Sequence, residues 1–184
     1  WNAYMSTATL HIDLDYLLDD YLPSEEVIRS VLRIWSKDDA EDEESSPIRD
    51  IVVGTIEEII AEARNGRMYI LVDDEDRENE GDLLIAASKV TTEQMAFLVR
   101  HTSGFVCIAL TPERLNELEL PLMVPQNQEK YKTAYTVTVD YRHHTTTGIS
   151  AHDRALTSRM LADPALGAQR DDFTRPGHMN PLRD

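Results

Sequence analysis

The chain has 184 residues, with 18 Lys+Arg against 34 Asp+Glu for a formal charge of −16, and is 41% apolar and 28% charged. This fits one soluble globular domain with an appendage, and no apolar run approaches the ~18 residues of a membrane span. The acidic balance argues against a nucleic-acid binder, because phosphates would be repelled over most of the surface, and a lone cysteine, Cys107, suits a reducing, cytoplasmic setting.

Residues 1–50 carry 13 acids and 4 bases and read as a separate acidic helical extension. Met5-Ser6-Thr7 looks like a natural start. Leu10, Leu14, Leu17, Leu18 and Tyr21 recur at helical spacing, Pro23 interrupts, and Ser24 caps a second helix with Val27, Ile28, Val31, Leu32 and Trp35 on one face. The DDAEDEESS run that follows reads as a solvated linker, so the main domain is expected to span residues 51–184.

In the main body, Thr55 and Glu58 form a capping box for a helix that Asn65-Gly66 stops. Residues 68–72 have strand length, and 83–87 form a weaker strand candidate. Thr91 with Gln94 opens the next helix; residues 105–110 read as a buried strand, and Pro112 starts a short helix. Tyr135, Val137, Val139 and Tyr141 alternate with Thr136, Thr138 and Asp140, the period-two pattern of a half-covered strand. Ser150 with Asp153 begins a last helix that Asp163-Pro164 ends. Interleaved helices and strands imply an α/β or α+β layered domain.

The richest chemistry lies in residues 73–82, which hold seven carboxylates, Asp73, Asp74, Glu75, Asp76, Glu78, Glu80 and Asp82, around Arg77. Such crowding needs water, arginine or a hard divalent cation for compensation, and it raises some carboxyl pKa values toward neutrality. An EF-hand reading fails, because the distal glutamate it requires would fall at Ala87.

The string VDDEDRENEGDLLIAA (72–87) resembles the signature of 3,4-dihydroxy-2-butanone 4-phosphate synthases. In order follow TTEQMAFLVRHTSGFVC (91–107), LPLMV (120–124), TAYTVTVD (133–140), TTTGISAHDRALT (145–157) and RPGHMNPLR (175–183). The resemblance implies an α+β fold of that family's layered type. It implies a lyase of riboflavin biosynthesis that converts D-ribulose 5-phosphate to L-3,4-dihydroxybutan-2-one 4-phosphate and formate. Mg²⁺, with Mn²⁺ as a substitute, is the implied cofactor, and a homodimer with shared active sites the implied assembly. A catalytically inactive relative that acts as a dimeric scaffold or binds a partner is the alternative.

Carried over by motif, Glu78 is the metal ligand, Arg77, Glu78 and Asp82 contact substrate, and Asp73, Glu75 and Glu80 assist proton movement. Cys107, Thr147 and His178 join the catalytic set, although by composition alone they read as a core cysteine, a turn threonine and a loop histidine. Arg154 is a candidate substrate contact and Arg175 a second phosphate candidate. His143, His144 and His152 lack a metal-ligand spacing. The resemblance also implies a GHTEA segment after the PGH motif, with a second metal ligand and phosphate contacts; this chain's Asp184 precedes any such segment.

Overall fold

The computed structural model describes residues 5–8, 56–72 and 81–183. The expected helices over 10–21 and 24–35, the acidic linker, the Thr55 cap and residues 73–80 lie outside the described residues.

Six strands form one sheet in the order β2-β3-β1-β4-β6-β5, where β1 is Met5–Ala8, β2 Tyr69–Val72, β3 Gly81–Ala86, β4 Val106–Leu110, β5 Val139–Tyr141 and β6 Phe173–Arg183. The helices are α1 (Ile56–Arg64), α2 (Thr92–His101), α3 (Pro112–Glu117) and α4 (Ala151–Ala162). Mixed strand directions and interleaved helices make this an α+β fold, as expected.

Local signals set most boundaries. Gly66 takes the left-handed conformation (φ 71°) just past α1. Thr91 and Gln94 exchange side chain-to-backbone hydrogen bonds at 3.2 and 3.0 Å, completing the capping box of α2. Thr111 caps α3, with Pro112 at its first turn, and Ser150 Oγ accepts the Asp153 amide at the start of α4.

Three outcomes depart from the sequence reading, the first being that residues 173–183, where His178 read as a loop histidine, form the 11-residue strand β6. The acidic helical extension assigned to 1–50 included no strand, yet β1 sits between β3 and β4, with Ala8 opposite both Leu83 and Val106. A four-residue strand is shorter than any window over which periodicity can be read. The half-covered strand expected over 135–141 is regular only at Val139–Tyr141, and Thr136 and Asp140, on its nominally polar face, are buried. Thr136 Oγ1 donates to the Pro181 carbonyl (3.0 Å), so a polar side chain is covered there without an unmet hydrogen bond.

The core joins the inward side chains of β3, β4 and β6 to α2, α3 and α4 through Ile85, Met95, Leu98, Ile108, Leu115 and Leu161, all fully buried. Arg114 is buried as well, at 2% exposure. Its Nε donates to the Leu161 carbonyl (2.9 Å) and its Nη2 to Met160 and Ala168 (3.1 and 3.3 Å), so α3 is tied to the last turn of α4 and the segment beyond.

Strand directions decide where the chemistry collects. Strands β3 and β4 both run antiparallel to β1, β4 is parallel to β6, and β2 is antiparallel to β3. The end of β2 and the beginnings of β3 and β4 therefore share one end of the sheet. Val72 and Gly81, which flank the acidic segment, pair with each other there. Cys107 pairs with Asn180, two residues after His178.

Candidate active site

At that end, β6 carries a wide bulge. Val139 pairs with Met179 but Asp140 pairs with Thr174, so residues 175–178 loop out opposite a single step of β5, around a cis Arg175–Pro176 peptide bond. The detour brings His178 back onto Asp140. The His178 amide donates to Asp140 Oδ1 (2.8 Å), and His178 Nδ1 lies 2.7 Å from Oδ2. A carboxylate only accepts, so Nδ1 donates this bond, and in the tautomer it selects the lone pair is on Nε2. The imidazole is 40% exposed while the Asp140 side chain is largely covered, the arrangement of an oriented proton acceptor.

The turn before α4 closes against this pair. Gly148 has φ 91°, and a Cβ there would stand 2.0 Å from Asp140 Oδ2 and 2.8 Å from His178 Nδ1. Only a residue without a side chain fits. Exposed Thr147 directly precedes it. Asp153 Oδ2 accepts hydrogen bonds from Thr146 N (3.0 Å), Thr146 Oγ1 (2.8 Å) and Gly148 N (3.0 Å). Burial opposes ionisation of this 1%-exposed carboxyl, but the bonds from Thr146 and Gly148 outweigh it and hold its pKa well below the usual carboxylate range.

Arg154, the next residue on α4, is 94% buried; its Nη1 donates to the Gly104 carbonyl (3.0 Å), and its Nε meets no hydrogen-bond acceptor among the described residues. Burial lowers its pKa, and the charge of Asp140 acts in the opposite sense, which sets the guanidinium within electrostatic reach of the Asp140–His178 pair. Arg175, the second phosphate candidate, serves backbone instead: its guanidinium donates to the carbonyls of Arg170, Phe173 and Leu118 at 2.8–3.1 Å.

Cys107 and Asp82 form the other described part of this end. The thiol is 1% exposed, and desolvation, then the nearby Asp82 carboxylate, pushes its pKa up to about 12. An activated thiolate needs the reverse, so the catalytic expectation for Cys107 does not fit a thiolate role. Labelling with a small thiol reagent at pH 8 is expected to be at least ~100-fold slower for the folded chain than for the urea-unfolded chain, read by mass spectrometry; equal rates would refute the buried assignment.

Asp73, Glu75, Arg77, Glu78 and Glu80 lie outside the described residues. The structure thus brings Thr147, Arg154 and His178 together, and Cys107 with Asp82. Asp140 is the participant that sequence reasoning missed; an acid closing an otherwise β-branched TVTVD run was the available signal.

A family model for 3,4-dihydroxy-2-butanone 4-phosphate synthase matches residues 57–184. The chain belongs to this family. It is 59% identical over 132 residues to the synthase of Schizosaccharomyces pombe, covering 72% of this chain and 64% of that protein, and 56% identical over 128 residues to that of Candida albicans, covering 70% and 62%. A solved synthase structure in complex with two magnesium ions superposes with a TM-score of 0.69 at 57% identity, covering 71% of this chain and 60% of the other. The chain thus spans a little under two thirds of the length of these synthases.

Among the described residues no group of three or more His, Cys, Asp or Glu side chains could hold a metal, and no helix is long and apolar enough to cross a membrane. The donors that suit a hard cation are the carboxylates of 73–82, the segment whose flanks pair at this end of the sheet; by donor type they fit Mg²⁺.

Proposed function

We propose that the chain carries the activity for which its family is named, converting D-ribulose 5-phosphate to L-3,4-dihydroxybutan-2-one 4-phosphate and formate in riboflavin biosynthesis. Family membership supports this reading, and one geometric observation carries it: an imidazole held by a buried carboxylate stands at the sheet end that the acidic segment leaves and re-enters. Ketose chemistry of this kind begins with removal of a proton beside a carbonyl. His178 Nε2 accepts such a proton while Asp140 stabilises the imidazolium that forms. Asp73, Glu75 and Glu80 are the carboxylates proposed to move later protons. Arg77, Asp82 and Arg154 are proposed to hold the sugar phosphate, and Thr147 to hydrogen-bond a substrate oxygen. Glu78 would hold Mg²⁺, or Mn²⁺ in its place, which supplies Lewis-acid polarisation of the sugar oxygens when bound.

A homodimer with shared sites belongs to the same reading. Supporting it, Phe105, Leu122, Met123 and Val124 leave an exposed apolar ridge, with Phe105 stacked edge-on to Tyr135 and Met123 bonded to the Tyr135 carbonyl. An acidic helical extension within residues 1–50 after β1, residues 51–184 together with β1 as the synthase-like domain, and a cytoplasmic location complete the proposal.

Formate release from ribulose 5-phosphate with Mg²⁺ tests it. Turnover is expected, and Glu78→Gln is expected to reduce it by ~100-fold or more. No turnover, together with no metal-dependent rise in Tm, would instead favour a catalytically inactive scaffold.

A further inference from the structure

Asp153 makes bonds that a helix cap does not need. The first-turn donor of α4 is already served, because Ser150 Oγ accepts the Asp153 amide at 3.0 Å. The Asp153 carboxylate instead reaches out of the helix to the preceding turn, and three donors converge on its Oδ2: Thr146 N, Thr146 Oγ1 and Gly148 N. Its Oδ1 lies 3.3 Å from Nδ1 of exposed His152. A fully buried charge is a costly way to hold a surface turn; it offsets that cost only by fixing the geometry of its donors.

What is fixed is the residue between them. Both backbone amides that flank Thr147 end on one oxygen, and Gly148 is pressed onto Asp140 Oδ2 and His178 Nδ1 so closely that no Cβ fits. The N-terminal dipole of α4 favours negative charge at this position and so holds the acceptor in place. Arg154, one residue on, bonds Gly104 ahead of β4. The first turn of α4 therefore sets the turn, the Asp140–His178 pair and the loop leading to Cys107 from one rigid element.

We infer that Asp153 is a positioning residue for the reaction: it clamps residues 146–148 so that Thr147 and the Asp140–His178 pair face substrate in one fixed arrangement. This rests on the proposed synthase activity, but the clamp itself is measurable without turnover.

The test compares Asp153→Ala and Asp153→Asn in the full chain. Asparagine keeps a carbonyl oxygen that can accept from two of the three donors; alanine keeps none. Amide hydrogen exchange at Thr146 and Gly148 is expected to accelerate at least ~10-fold in the alanine variant, with His178 ring signals shifted, while amides of α2 and β4 stay protected. Steady-state formate release is expected to lose ~10–100-fold in kcat with KM changed less than ~3-fold, and asparagine to restore most of it. Unchanged exchange at 146 and 148 and unchanged His178 signals would overturn the inference, as would asparagine and alanine failing alike. Thr146→Val removes only the 2.8 Å hydroxyl bond and guards against global unfolding of the alanine variant; it is expected to move the same signals by less, and no movement at all would count against the clamp. Wild-type chain without formate release would defeat the proposed activity alone, and the exchange and ring signals would still decide the clamp.

Discussion

Gly148→Ala is expected to cost more than ~3 kcal/mol of stability and to reduce formate release by ~100-fold or more. Two effects add at this position. An L side chain at φ 91° carries roughly 1–2 kcal/mol of backbone strain. The new methyl would also lie 2.0 Å from Asp140 Oδ2 and 2.4 Å from its Cγ, inside any real van der Waals separation, so the turn or the Asp140–His178 pair must move. Neither can move freely, because the turn is held by Asp153 and the Asp140 carboxylate by two bonds to His178. Gly167→Ala separates the two effects: it has a similar φ of 76° with no atom of the described residues within 4 Å of a Cβ, so it should show only the strain, about 1–2 kcal/mol, and normal turnover. Thermal denaturation with parallel formate assays reads both variants. Equal losses at the two positions would mean that packing against the Asp140–His178 pair contributes nothing.

Arg114→Met is expected to destabilise the domain by about 3–5 kcal/mol. Methionine replaces much of the aliphatic stem, so little hydrophobic burial is lost. What goes missing is the donor set for three carbonyls, at Met160, Leu161 and Ala168, two of them in the last turn of α4, where no intrahelical donor remains. Each unmet buried carbonyl costs ~1–3 kcal/mol, less for Ala168, whose 3.3 Å bond is the longest of the three. The ion pair from Nη1 to Glu117 (2.8 Å) is a smaller matter, because that carboxylate is 47% exposed and water replaces the arginine. Glu117→Gln should therefore stay within ~1 kcal/mol of the parent in urea denaturation. If Glu117→Gln cost as much as Arg114→Met, the ion pair rather than the carbonyl ties would hold α3 to α4.

Both predictions concern contacts between distant residues, and that marks the boundary of what sequence can disclose. The starts of α2, α3 and α4 were readable because their caps are satisfied within three or four residues: Thr91 with Gln94, Thr111 with Arg114, Ser150 with Asp153. The acidic segment and the ordered motifs were readable because composition and spacing are properties of the chain itself, and they sufficed to place it in its family. Asp140 was not, since its partner lies 38 residues away and meets it only because β6 bulges over 175–178. Arg154 and Arg175 look alike as isolated cations, yet one is buried within reach of Asp140 and the other is spent on backbone carbonyls. Sequence alone determined where α2, α3 and α4 begin and which family the chain belongs to, because short-range hydrogen bonds and ordered motifs are written within a few residues. The tertiary structure decided which histidine is oriented, that the lone Cys107 is shut away and which arginine is buried under the influence of Asp140, because pKa, access and pairing depend on the strands that meet, and no local pattern specifies them.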